Sequence, residues 1–125
     1  MSNLTKDDLT MKTVLFDQGE VRAYKIDKIP ENAIMRPAEK CAAGWIVAHS
    51  EKGHHHVCTG GEVMERTNGV PAGMRVLYGI LEHPEEFVQD APSPHEKHAL
   101  PAGLIEFRCA REFDPFAEQA RAVQD

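Results

Sequence analysis

Imidazole is the side chain best suited to hold a cation or move a proton near neutral pH, and this sequence concentrates it. Of seven histidines, His54, His55 and His56 form one group and His95 and His98 a second, while His49 and His83 stand apart. Side chains alternate faces on an extended segment, so His54 and His56 point one way and His55 the other. Two imidazoles so placed can converge on one divalent ion, with nitrogen–metal distances near ~2.1 Å. A second segment must complete the shell, and His95-Glu96-Lys97-His98 is the obvious source. Residues three apart on a regular strand face opposite sides, so either His95 belongs to a loop or a bulge re-aims one of the pair. The expected metal ligands are therefore His54, His56, His98 and His95, with Glu96 as reserve oxygen ligand or general base.

Zinc suits such a set without redox chemistry, and iron, nickel or manganese also accept imidazole. Three histidines with an open position would polarise or activate water, a hydrolytic role. Four without one would be structural. The competing reading is plain: three consecutive histidines also suit a solvated hairpin edge, and HxxH alone is a weak spacing. His55 reads as exposed, and His49 and His83 as ordinary surface or hydrogen-bonded residues. Cys58 continues the face of His54 and His56 and could ligate as a thiolate, but cysteine is among the most buried residue types and a core role is expected. No GxSxG, phosphate-loop or dinucleotide fingerprint occurs, and Gly60-Gly61 is too short to cradle a phosphate.

The chain has 125 residues, enough for one domain and not two. Hydrophobic residues make up 42% and charged residues 27%, an ordinary globular balance. The formal charge of −6, with no Lys/Arg stripe, argues against nucleic acid as the partner. The longest uncharged apolar stretch, Cys41 to Ala48, is far short of a membrane span. No basic start followed by an apolar run appears, so no secretory signal is expected. Cys41, Cys58 and Cys109 form an odd set without a CxxC pair, which suits reduced thiols in the cytoplasm. A single bridge, within or between chains, stays open.

The elements that must position these residues are short. Residues 1–12 read as an N-terminal arm, 13–113 as a β domain and 114–125 as a short helix. Val14-Leu15-Phe16 is followed by a turn at Gln18-Gly19, and Glu20 to Asp27 alternates polar with apolar as a strand with one wet face does. Ile29 to Ala38, with two prolines, is expected to be a loop. Further strands are expected around Gly44–Ser50, the histidine triplet, Glu62–Arg66, Met74–Leu81, Phe87-Val88, His95–Leu100 and Leu104–Phe113. Asp114 and Pro115 suit the start of the terminal helix. Trp45, Met64, Met74, Leu77 and Phe107 read as core. The expected fold is all-β, a small barrel or sandwich of seven to nine short strands.

Gln18-Gly19-Glu20-Val21, Ile29-Pro30, Ala48-His49-Ser50-Glu51-Lys52-Gly53-His54-His55-His56, His95-Glu96-Lys97-His98, Leu100-Pro101-Ala102-Gly103 and Arg111-Glu112-Phe113-Asp114-Pro115 follow one another in this chain. Their order resembles a family of small bacterial and phage proteins reading QGDV, a proline loop, GEVTGHAHR, HEEH, LPAG and REYDP. The resemblance covers about residues 18 to 115. It implies an all-β fold and aligns His54 and His56 with the family's GHxH and His95 and His98 with its HxxH, without implying a reaction. Lys52 replaces the family's threonine and His55 its small residue. Cupins are a looser comparison: they too carry an HxH pair on a barrel strand, but the expected glutamate falls at Gly60 or Gly61, so the likeness is one of architecture.

Three functions follow from these features. The first is a β-barrel holding a divalent metal through its histidines. The second is a homo-oligomeric phage structural protein, a capsid-decorating or tail-associated subunit, with the histidines at an interface or simply polar. The third is an inhibitor of a host enzyme.

Overall fold

Strands form where polar and apolar residues alternate, and the chain reverses where glycine frees the backbone. Gln18 pairs with Val21 across Gly19-Glu20, and Gly19 has φ +58°, the left-handed conformation wanted at the first central position of a two-residue hairpin. The computed structural model describes residues 11–49, 54–90 and 97–110. Within them lie β1 (Lys12–Gln18), β2 (Val21–Ile26), β3 (Met35–Pro37), β4 (Lys40–Cys41), β5 (Gly44–Ala48), β6 (His56–Cys58), β7 (Glu62–Arg66), β8 (Met74–Leu81), β9 (Glu85–Gln89), β10 (Lys97–Leu100) and β11 (Gly103–Ala110). All pairings are antiparallel. One sheet runs β1-β2-β11-β8-β7-β3 and the other β10-β9-β6-β5-β4.

The two sheets share one core. Phe16, Val21, Ala23, Val63, Leu77, Leu81, Ile105 and Phe107 from the six-stranded sheet meet Val47, Ala48, Cys58, Phe87 and Leu100 from the five-stranded one. Fully burying side chains such as Leu77 or Phe107 contributes roughly 1.5–3 kcal/mol each. Alternation sends Ile26, Val76 and Tyr78 to the outer face of the six-stranded sheet, where Tyr24, Ile29, Ala33, Met35, Val70 and Leu104 pack against them. The all-β expectation therefore holds, with a sandwich as the architecture.

The strand count exceeds the seven to nine expected. Strands of two or three residues, such as β3 and β4, are too short to leave a period in the sequence. The expected loop over Ile29–Ala38 contains β3, and its Pro37 sits on an edge strand, where the missing N–H costs no ladder bond. Leu77 and Phe107 are fully buried as expected. Trp45, Met64 and Met74 are only half-buried. The expected C-terminal helix, and all but the last two residues of the N-terminal arm, lie outside the described residues. Among the described residues no helix is long and apolar enough to cross a membrane.

Candidate functional site

The pairing register decides what the histidines can do together. Cys58, Phe87 and His98 stand in one row across β6, β9 and β10. Cys58 and Phe87 belong to the core, so the row faces inward, and His56, two residues before Cys58, shares that face. The His56 ring lies nearly parallel to Phe87 with centroids 5.6 Å apart. His98 stacks on Phe16 at 4.2 Å, lies 6.4 Å from Phe87, and brings Nε2 within 2.6 Å of Gln18 Oε1. His56 and His98 thus reach the same interior face, with Phe87 between them.

That arrangement is not a coordination shell. β9 separates β6 from β10, so two strand spacings of about 4.8 Å lie between the backbones, whereas ligands of one ion each approach to ~2.1 Å. His54, in the segment entering β6, has Nδ1 3.1 Å from the Asp90 carbonyl oxygen. His95 and Glu96 lie outside the described residues. Among the described residues no three His, Cys, Asp or Glu side chains are grouped so as to hold a metal ion. As placed, His54, His56 and His98 do not fit a shared cation.

Several other titratable groups on and beside this sheet make contacts of their own. His49 meets His55 edge-on at 4.9 Å and has Nε2 3.5 Å from Glu39 Oε1. Cys41 Sγ lies 3.9 Å from Asp90 Oδ2. Cys58 is buried in the core as expected, and burial pushes its thiol up to about 11, the Gly60 carbonyl being its acceptor at 3.4 Å. Burial pushes Cys109 further, to about 12. Neither is a thiolate near neutral pH. All three cysteines are free.

No family model, no curated protein and no solved structure matches this chain.

The sequence reading passed over a second polar arrangement, on the outer face of the six-stranded sheet. Glu106 is only 1% exposed, yet Lys12 Nζ lies 2.9 Å and Arg108 Nε 3.1 Å from its Oε2. A buried carboxylate is tolerated only with such partners. Beside it, Arg108 is the direct cross-strand partner of Arg22. Arg22 in turn pairs with Asp17, Nε to Oδ2 at 2.9 Å. In the sequence these residues are merely the polar half of two alternating strands. Only the register of β2 against β11 brings the two arginines together.

Proposed function

We propose that this protein is an assembly subunit that joins further copies of itself through β1, the end strand of its six-stranded sheet among the described residues. One observation carries this reading: β1 is the terminal strand of that sheet, and Val14 on it is 58% exposed, while Met11, the residue before β1, is 71% exposed. Val14 continues the outer-face row of Tyr24, Glu106 and Tyr78. An edge strand with apolar side chains in the open is a template for another chain. Two copies related by a twofold axis would present this same strand to each other, extend the sheet and cover Val14. The bulge between Val14 and Phe16 interrupts the ladder and restricts which register can form. The resemblance to bacterial and phage proteins gives the assembly a setting, a capsid-decorating or tail-associated subunit. Light scattering on the full chain tests it: an oligomer is expected, and Val14→Glu should dissociate it. A monomer at tens of micromolar, or an oligomer indifferent to Val14→Glu, would overturn the reading.

A second reading is favoured by the common interior face of His56 and His98. In it a divalent ion, zinc before iron, nickel or manganese, is held by His54, His56, His98 and His95. His98 would then have to give up Gln18. Elemental analysis of untagged protein decides: near-stoichiometric metal, lost on changing His54 and His56 together to alanine, supports it. Metal that survives the double change, or none in the parent, removes it.

A further inference from the structure

We infer that the groove at the β1–β2 turn is a binding site for an oxyanion, a carboxylate before a phosphate. It is an open groove with a volume of about 380 Å³. Asp17, Arg22, Tyr24, Met74 and Arg108 are the lining residues that matter.

The argument begins with a cost. Like charges directly opposite each other on neighbouring strands are unfavourable, yet Arg22 and Arg108 occupy such a pair. Asp17 offsets Arg22 and Glu106 offsets Arg108, but each leaves guanidinium donors over. Arg108 gives only its Nε to Glu106, and its two Nη groups make no hydrogen bond among the described residues. Arg22 is held in its charged form by the Tyr24 hydroxyl and by Asp17, to one oxygen of which it gives Nε and Nη2, so these contacts use three of its five N–H donors. A guanidinium is planar and never deprotonates, and its donors match two oxygens of a carboxylate or phosphate at once.

Charge selects between oxyanions. Among the lining residues Arg22 and Arg108 are matched in charge by Asp17 and Glu20, and Lys12 is matched by Glu106, so the groove carries no excess positive charge. That balance suits a monoanion better than a doubly charged phosphate. Tyr24 and Met74 give the ligand's carbon skeleton an apolar wall. The ligand class is therefore a small organic acid or a peptide carboxylate.

Amide chemical-shift titration of the full chain with sodium acetate, inorganic phosphate and sodium chloride at matched ionic strength tests the site. Saturable shifts at Gly19, Val21 and Ala110 are expected with acetate, at lower concentration than with phosphate. Arg22→Gln, on an exposed side chain, should weaken the acetate response about tenfold. Arg108→Lys should weaken it too, because charge remains while the fork is lost. Saturation with phosphate but not acetate would keep the site and overturn the carboxylate assignment. Equal responses to chloride, or shifts unchanged in Arg22→Gln, would overturn the site itself.

Discussion

Gln18 Oε1 and His98 Nε2, 2.6 Å apart, join the end strand of one sheet to the end strand of the other. Eighty residues separate them in sequence. Phe16, two positions before Gln18, carries the His98 ring against its own at 4.2 Å. The contact is thus a polar clasp over an aromatic stack, closing one long side of the sandwich. It gives His98 a packing role that needs no ligand.

His98→Ala should therefore destabilise the fold by about 2 kcal/mol, combining a hydrogen bond of roughly 1 kcal/mol with a ring pair of roughly 0.5–1.5 kcal/mol. Gln18→Ala should cost less, since Phe16 keeps its stack. Urea denaturation of both variants and of the double variant measures the coupling. Strictly additive losses would mean the clasp does not act as a unit.

The thiols should separate cleanly by reactivity. The thiolate is the nucleophile, and burial holds Cys58 at about 11 and Cys109 at about 12. At pH 8 an aromatic disulfide reagent should label Cys41 alone in the native protein and all three cysteines in denaturant. Raised thiol values also weaken the fold in alkali: above about pH 9, thiols ionise in the unfolded chain but not in the core, so stability falls as pH rises further. Rapid native labelling of Cys58 would show that β6 opens readily.

Gly44 should tolerate no side chain. Its φ is +147°, and a Cβ there would fall within 2.3 Å of the Cys58 carbonyl oxygen, with backbone atoms of Cys58 and Thr59 at 3.0 Å. The obstruction is backbone of the paired strand, so neither partner can step aside. Gly44→Ala is expected to cost roughly 2–4 kcal/mol, read as a lowered urea midpoint. A midpoint unchanged within error would mean that β4 and β5 shift freely at that end.

The sequence made the class of fold legible because its longer strands, such as Glu20 to Ile26 and Leu104 to Cys109, alternate polar with apolar residues. The turn at Gly19 was legible for the same local reason. The eleven strands of the described residues were not, because two or three residues of β3 and β4 hold no full period. The histidine site was legible only as far as the face of β6. Its spacing placed His54 and His56 together, but no spacing shows that β9 runs between β6 and β10 and lays Phe87 between His56 and His98. The arginine pair needed the same missing knowledge. Arg22 and Arg108 are 86 positions apart, and strand register alone makes them neighbours. Local chemistry is written locally, whereas sites belong to the pairing.

Glu65 supplies the sharpest dependence on acid. Burial by itself would raise its carboxyl, but two bonds from Arg75, Nη2 at 3.1 Å and Nε at 3.4 Å, outweigh that, with Arg36 at 3.7 Å helping, and the carboxyl lies below its ordinary range. The same Arg75 donates Nη1 to the Val47 carbonyl across the core, so the ion pair also anchors one sheet on the other. A carboxyl lowered in the folded state gives stability that is fully present above its unfolded value, near 4.5, and is lost as pH falls through the folded value. Glu65→Gln removes that contribution at every pH. The gap in urea midpoint between parent and variant should therefore be constant from pH 7 to about pH 5 and close as pH drops toward 3. A gap that persists unchanged into acid would show that Glu65 acts through its size and not its charge.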